Sequence, residues 1–465
     1  MRKAQINLCH LKRKSIKPVF ALSLVTIMSA CTLKGTNMQY QEKQLTFDQK
    51  GHMLNHTQIF SQDGKWVVYD TRNDDTKIGA TPSIEILNIE TGEIREIYHT
   101  QNQTEFGPGV GAATFSPTED RVIFIQGIRN ADKNRPYDFT RRTGVAIDIT
   151  NPNQAIFMDA RDINAPFTPG ALRGGTHAHS WSGDGQYISF TYNDYVMEQL
   201  AKTDSSVKDL RTIGVMFPKK VSVKDDGSLE NNSGEMFSVL VADVVENPAD
   251  NTDQIDRAFD ECWIGQDGYQ KADGSKQPKA IAFQGNVREN GQVKTEVFVV
   301  DLPSDLTQFG PDRPLQGTVN KRPYTPAGVS QRRITHLTNG VQGPRHWLRT
   351  TPDGSQVIFL SKDTAGFINA FAVNINSGEV KQLTHNQFDM QSGVNISPNG
   401  EALAYVAQNS VYVSDIKNNK TEQLTKNFSD TEKPSSAVSW SKDGKSLLYN
   451  RMVDGYIQIF RLNLQ

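Results

Sequence analysis

The stretch WSGDGQYISFT, residues 181–191, decides the fold. An aromatic residue, Ser, an Asp-Gly turn and an alternating apolar run read as the end of one strand, a tight turn and a half-buried second strand. Working outward, the phrase recurs as FSQDGKWVVYD (60–70), FSPTEDRVIFI (115–125), TTPDGSQVIFL (350–360), ISPNGEALAYV (396–406) and WSKDGKSLLYN (440–450). A second phrase trails several of them, as in AFAVNINSGEVKQLT (370–384) and VYVSDIKNNKTEQLT (411–425). Each unit therefore supplies four strands: one before the turn, one after it, and a hairpin ending in Gln-Leu-Thr. Repeated four-stranded units make the blades of an all-β propeller.

The middle of the chain, 200–340, is less regular. LRTIGVMFP (210–218) and FSVLVADVV (237–245) complete a third blade, while KAIAFQGNV, TEVFVVDLP and RRITHLT supply most of a fourth. Seven blades are expected, or six if this stretch is an insertion. The last unit stops at QIFRLNLQ without its final strand, and KQLTF at 43–47 offers the missing one from the other end of the chain. An N-terminal strand that completes the last blade closes the ring and removes its exposed edges.

Before that strand, residues 1–18 carry Arg2, Lys3, Lys12, Arg13, Lys14 and Lys17 and no acid, followed by the apolar run Val19–Ala30 and Cys31. This reads as a secretory signal over 1–30, too short to span a bilayer as a mature anchor. Met28-Ser29-Ala30-Cys31 resembles a bacterial lipobox, with Cys31 as the lipidated residue and 31–42 as a tether to a propeller over 43–465. Thr32 after the Cys matches outer-membrane sorting, with the body facing the periplasm. The whole chain has 50 Lys and Arg against 52 Asp and Glu; loss of the signal's six cations leaves an acidic body of charge −8. Nothing in that balance points to nucleic acid. Of the 3 Cys, only Cys262 remains free, and it is expected to be buried beside Trp263.

Inner strands of a propeller line its channel, and the turn phrase aligns them. Four residues before each aligned position stand His56, His177 and His346, from the first, third and fifth blades, with His179 two residues beyond His177. Imidazoles from separate strands can hold a divalent transition metal; alternatively they are polar channel lining. Arg173 and Gly174-Gly175 enter the third blade, Arg345 and Arg349 flank His346, and Gln391 enters the sixth. Tyr137, Asp138, Arg141 and Arg142 come from a longer loop of the second blade. Guanidiniums gathered there suit a carboxylate or phosphate, or else inter-blade ion pairs. The letters Gly107-Pro-Gly109-Val-Gly111-Ala112 precede a strand phrase rather than a helix, so they are no dinucleotide fingerprint. No Gly-x-Ser-x-Gly elbow is present.

DINAPFTPGALRGGTHAHSWSGDGQYISFTYNDYVM (162–197), GPRHWLRTTPDG (343–354) and QLTHNQFDMQS (382–392) closely resemble the YidR-type propeller proteins, over essentially the whole mature chain. That resemblance implies the fold and little chemistry, and the lipobox departs from it. The turn phrases are also similar to TolB-type repeats, whose propellers bind partner proteins. More distantly, the His- and Arg-rich mouth is similar in kind to that of oligogalacturonate lyases, which are seven-bladed propellers with a histidine-held metal. Two functions are therefore expected in parallel. One is a lipid-anchored envelope propeller that binds a periplasmic partner or an anionic ligand at its mouth. The other is a metal-dependent lyase of acidic oligosaccharides, with the metal or Arg173/Arg345 neutralising the carboxylate and His179 as base.

Overall fold

Turn chemistry sets each blade. In the computed structural model, which describes residues 40–464, Ser182 donates to Asp184 at 2.6 Å and accepts the Tyr187 N–H at 2.9 Å. Ser441 repeats this with Asp443 and the Ser446 N–H at 2.6 and 2.9 Å. The Gly that follows, such as Gly185 at φ 68° or Gly444 at φ 70°, takes the left-handed conformation that the turn requires. These local bonds pin the register of the strands on either side.

Seven antiparallel sheets of four strands result. The first blade pairs Met53–Leu54, Trp66–Asp70, Ser83–Asn88 and Ile94–His99, and the second pairs Val110–Phe115, Arg121–Gly127, Arg142–Asp148 and Ile156–Phe157. The third is Gly175–Trp181, Ile188–Asn193, Thr212–Val221 and Gly234–Leu240, with a short helix, Tyr195–Ala201, capped by Asp194. The fourth is Ala258–Trp263, Ala280–Glu289, Gln292–Asp301 and Ser330–Arg333. The fifth, sixth and seventh begin at Arg349–Thr350, Asn395–Ile396 and Pro434–Trp440. The outermost strand of the seventh is Gln41–Gln44, paired with Tyr456–Asn463 from Gln41 opposite Asn463 to Gln44 opposite Phe460. The ring thus closes through the N-terminal segment, which begins pairing two residues earlier than expected. Signal residues 1–30, Cys31 and the tether up to residue 39 lie outside the described residues.

Alternation puts apolar side chains on both faces of each sheet, and seven buried clusters fill the seven gaps between neighbouring blades. The largest, between the third and fourth blades, also takes in Leu302, Leu306 and Leu315 from the long connection after Asp301. That connection is how the irregular middle is absorbed. No helix among the described residues is long and apolar enough to cross a membrane.

Candidate functional site at the channel mouth

Two departures from ideal strands shape the channel. The inner strands of the second, third, fourth and seventh blades each carry a register shift, between Gly111/Thr114, His177/Ser180, Phe259/Cys262 and Ser435/Ser439. Ala112, Ala178 and Asp260 sit at these shifts with φ of 54°, 58° and 51°. Such bulges re-aim the side chains beside them. The second departure is in the first blade, whose inner strand is only two residues long. The chain beyond it crosses the channel. Gln58 exchanges two hydrogen bonds with the Trp181 backbone, at 2.7 and 2.9 Å, and its carbonyl accepts the Phe115 N–H at 2.7 Å. The His56 carbonyl accepts from Arg349 at 2.8 Å and Asn395 at 3.2 Å. Only chain lying near the axis can touch the second, third, fifth and sixth blades at once, so residues 56–58 plug the ring.

These departures separate the four histidines. His56 sits in the plug, stacked on Trp347 with centroids 3.8 Å apart. His177 puts Nδ1 3.3 Å from the Thr191 carbonyl of its own blade. Beyond the Ala178 bulge, His179 turns away from the channel and is sealed between the second and third blades, fully buried. Its Nε2 lies 3.0 Å from the Thr176 hydroxyl, which donates to Asp159 at 2.8 Å. Gly144 leaves room for this ring; a Cβ there would come within 2.7 Å of Nε2. His346 is committed at both nitrogens, with Nδ1 2.9 Å from the Pro344 carbonyl and Nε2 accepting the Leu360 N–H at 3.1 Å.

Burial lowers the pKa of all four rings, that of His179 to about 3, so they stand neutral. No three His, Cys, Asp or Glu side chains among the described residues converge in a group able to hold a metal. His56, His177, His179 and His346 therefore do not fit a shared divalent ion, because separate parts of the fold hold their rings apart, although His56 Nε2 and His179 Nδ1 have no partner. His179 is likewise out of reach of the mouth as a base.

The arginines divide. Arg173 is a fastener: buried, it donates to Asp194 at 2.9 Å, to the Lys321 carbonyl at 2.7 Å and to the Thr318 carbonyl, tying the long connection to the third blade. Arg141 pairs with Glu230 at 3.1 Å. Arg349 donates to Asn395 at 2.6 Å, to the Leu348 carbonyl and to the plug, and burial lowers its pKa to about 10. Gln391 accepts the Asn409 N–H at 2.7 Å, and Asp138 is exposed on its loop, its carbonyl accepting the Arg141 N–H at 3.1 Å. Tyr137 accepts from Arg142 at 3.0 Å.

Four arginines remain on one face. The inner and third strands of a blade run in the same direction, both antiparallel to the second, so their starts share one end of the propeller. Arg142 opens the third strand of the second blade and Arg211 precedes that of the third. Arg257 precedes the inner strand of the fourth blade and Arg345 lies on the approach to the fifth. Among the described residues Arg142, Arg211 and Arg257 have no ion pair, while Arg345 meets Asp260 at 2.8 Å. Arg142 is 1% exposed, with Nε and one Nη unpartnered. Arg142 and Arg211 both lie against the exposed ring of Phe139, at 5.0 and 5.3 Å. Burial, then the charges of Arg257, Arg142 and Arg345, lowers the Arg211 pKa to about 10. The same Arg142, Arg211 and Arg345 depress His177. Arg211 and Arg257 carried no motif and were missed from sequence; only folding brings them beside Arg142 and Arg345.

On the other side of the plug, the ends of the inner strands and their turns enclose a cavity of about 650 Å³. Glu261 and Cys262 line it. Burial raises the Glu261 carboxyl to about 7 and the Cys262 thiol to about 12. Glu261 was also missed: the turn after it, WIGQDG (263–268), is the blade phrase with one residue inserted.

Comparison with known proteins follows this architecture. The model for a protein family of unknown function, DUF3748, matches residues 109–228, and that for the dipeptidyl peptidase IV N-terminal region matches residues 364–465. An oligogalacturonate lyase solved in complex with manganese superposes with a TM-score of 0.54 at 12% identity, covering 92% of this chain and 94% of its own. An oligogalacturonate lyase from Vibrio parahaemolyticus does so with a TM-score of 0.52, also at 12% identity, over 92% and 95%. At that identity the likeness is one of fold. The sequence comparison is much stronger: the uncharacterized protein YidR of Escherichia coli is 36% identical over 417 residues, 88% of this chain and 94% of its own. Identity of that order over most of both chains makes this chain a member of the YidR family of β-propeller proteins.

Proposed function

We propose that the propeller binds an anionic small molecule at its arginine-rich mouth. The observation that carries this reading is the crowding of Arg142, Arg211 and Arg257 without an ion pair, beside an Arg345 that has only Asp260. Clustered like charges repel, and a carboxylate or phosphate that entered would relieve that repulsion with charge-assisted bonds. Calorimetric titration of the purified full chain with galacturonate, oligogalacturonate and phosphate tests it. Binding of one of these, weakened at least tenfold by Arg211→Ala or Arg257→Ala and falling with added salt, is expected. Absence of binding by all three ends this reading.

The lyase reading draws on the fold shared with the two oligogalacturonate lyases. His179 and Arg173 cannot take the roles the sequence offered them, so a base and a carboxylate anchor must come from elsewhere. An ultraviolet assay for unsaturated product, with manganese supplied, separates the two readings. Binding without product supports recognition alone, whereas turnover replaces it with catalysis.

We also propose attachment to the outer membrane through a lipidated Cys31, with the propeller in the periplasm. The basic segment, the apolar run and Met-Ser-Ala-Cys support this. Labelling with a palmitate analogue should mark the wild-type chain and not Cys31→Ser; equal labelling of both overturns the proposal.

A further inference from the structure

Residues 222–233 join the third and outer strands of the third blade and leave that blade to reach the second. Within them Asp226 accepts from Asn164 at 2.6 Å and Asn231 at 3.1 Å. Glu230 fastens the segment to the second blade: its carboxylate takes Asn130 at 2.9 Å and Arg141 at 3.1 Å, and its carbonyl takes Arg161 Nε at 2.9 Å. This anchoring holds Leu229, 45% exposed, over a cavity between the first and second blades. The cavity's volume, about 540 Å³, falls within the range of small-molecule sites. It shares no lining residue with the channel cavity and includes none of the mouth arginines.

Three blades enclose this space. One wall follows the outer strand of the first blade, where Asn153 of the second donates to the Ile97 carbonyl at 2.9 Å and accepts the His99 N–H at 2.8 Å. Phe157, Ala155 and Pro108 add apolar surface opposite Leu229. Two donors on the lining have nothing to bind. Gln126 is 3% exposed, and the Tyr98 hydroxyl donates to its Oε1 at 2.9 Å, which fixes the amide with Nε2 turned the other way. Nε2 has no partner among the described residues and keeps accessible surface, so it opens onto the cavity. Arg129 is the second donor. Its guanidinium lies 5.0 Å from the Phe157 ring and makes neither hydrogen bond nor ion pair among the described residues.

Charge narrows the class. Arg129 is the only Lys or Arg on the lining, and no Asp or Glu of the described residues lines it. His99, in the wall, bonds Glu96 at 3.0 Å, outside the lining. The Arg129 charge is felt at the floor, where it opposes the rise that burial gives the Tyr98 pKa. One unpaired guanidinium beside a buried amide donor suits one carboxylate, whose two oxygens can accept from both. Phe157, Leu229 and Ala155 then cover an apolar remainder. We infer that this cavity is a second binding site, which takes a small monocarboxylic acid bearing an apolar chain or ring.

Ligand-observed NMR titration of the purified full chain tests this with octanoate and indole-3-acetate. Acetate, which lacks the apolar part, and indole-3-acetamide, which lacks the charge, are the comparisons. At least one of the two acids should bind saturably, at least tenfold tighter than acetate or the amide. Arg129→Gln and Leu229→Asp, both at exposed positions, should each weaken that binding at least tenfold. Gln126→Leu should weaken it too; if that buried variant fails to fold by circular dichroism, the two exposed ones decide. Arg211→Ala should leave it unchanged, which separates this site from the mouth. The inference is overturned if neither acid saturates, if the acids bind no better than indole-3-acetamide, or if either Arg129→Gln or Leu229→Asp binds like wild type. Binding that follows Arg211 instead would overturn it and leave the mouth proposal standing.

Discussion

Glu261 shows how one residue couples the channel to pH. Its carboxyl is 1% exposed and accepts a single hydrogen bond, from Thr191. Burial is the main cause that lifts its pKa from 4.5 to about 7; Asp260 adds to the shift and Arg345 opposes it. An acid whose folded pKa is raised binds more protons in the native state between the two values. Stability therefore falls as pH rises from about 4.5 to about 7 and is level above that. Asp159 and Asp209, each raised to about 6 chiefly by burial, act in the same sense. Glu261→Gln removes one such group. The variant should gain up to about 3 kcal/mol on wild type at pH 8 relative to their difference at pH 5. Urea denaturation at the two pH values measures this, and a difference independent of pH would contradict the assignment.

At the scale of elements, the turn phrase and the plug teach opposite lessons. The phrase was legible because Ser, Asp and Gly act locally: their hydrogen bonds close within six residues, so the pattern survives in the sequence wherever the turn does. Six blades announced themselves in this way. The fourth was disguised by the one residue inserted into WIGQDG. The channel was harder to read, because aligning inner strands assumes that each is regular. The bulge at Ala178 broke that assumption for His179, and the crossing of residues 56–58 broke it for His56. Neither leaves a composition signal: the bulge is a one-strand irregularity in the pairing with Ile188–Asn193, and the crossing depends on contacts between residues more than 100 positions apart. Gln58 holds the crossing in place through both polar groups of the Trp181 backbone. Gln58→Ala would leave that N–H and C=O unpaired, at a cost of about 2–3 kcal/mol. It should also raise hydrogen exchange at the Trp181 amide. Unchanged exchange there would mean that the plug is held by Arg349, Asn395 and the Phe115 amide without the Gln58 side chain.

For the molecule as a whole, the question is what keeps seven sheets in one ring. Six of the gaps between blades are packed by segments close in sequence. The seventh joins the last blade to the first, and its cluster combines Leu45 with Leu54, Val67, Leu448 and Ile459. Gln41–Gln44 adds the outer strand there, Tyr449 donates to Glu42, and Leu45 N–H reaches the Ile459 carbonyl at 2.8 Å. Thr46 Oγ accepts the Ile459 N–H at 2.9 Å. Residues from the two ends of the chain are thus laced into one sheet, so opening the ring requires the blade to come apart strand by strand. Internal deletion of residues 40–47 removes the lace. It should lower stability by about 3–5 kcal/mol through lost burial and backbone pairing. It should also expose the edge of Tyr456–Asn463, giving concentration-dependent association by sedimentation. Appending QEKQLTF after Gln465 through a flexible Gly-Ser linker supplies the same strand in cis and should restore both the melting temperature and the sedimentation behaviour of the undeleted chain. If the appended strand restores neither, the deleted segment stabilises the propeller by some route other than completing the seventh blade.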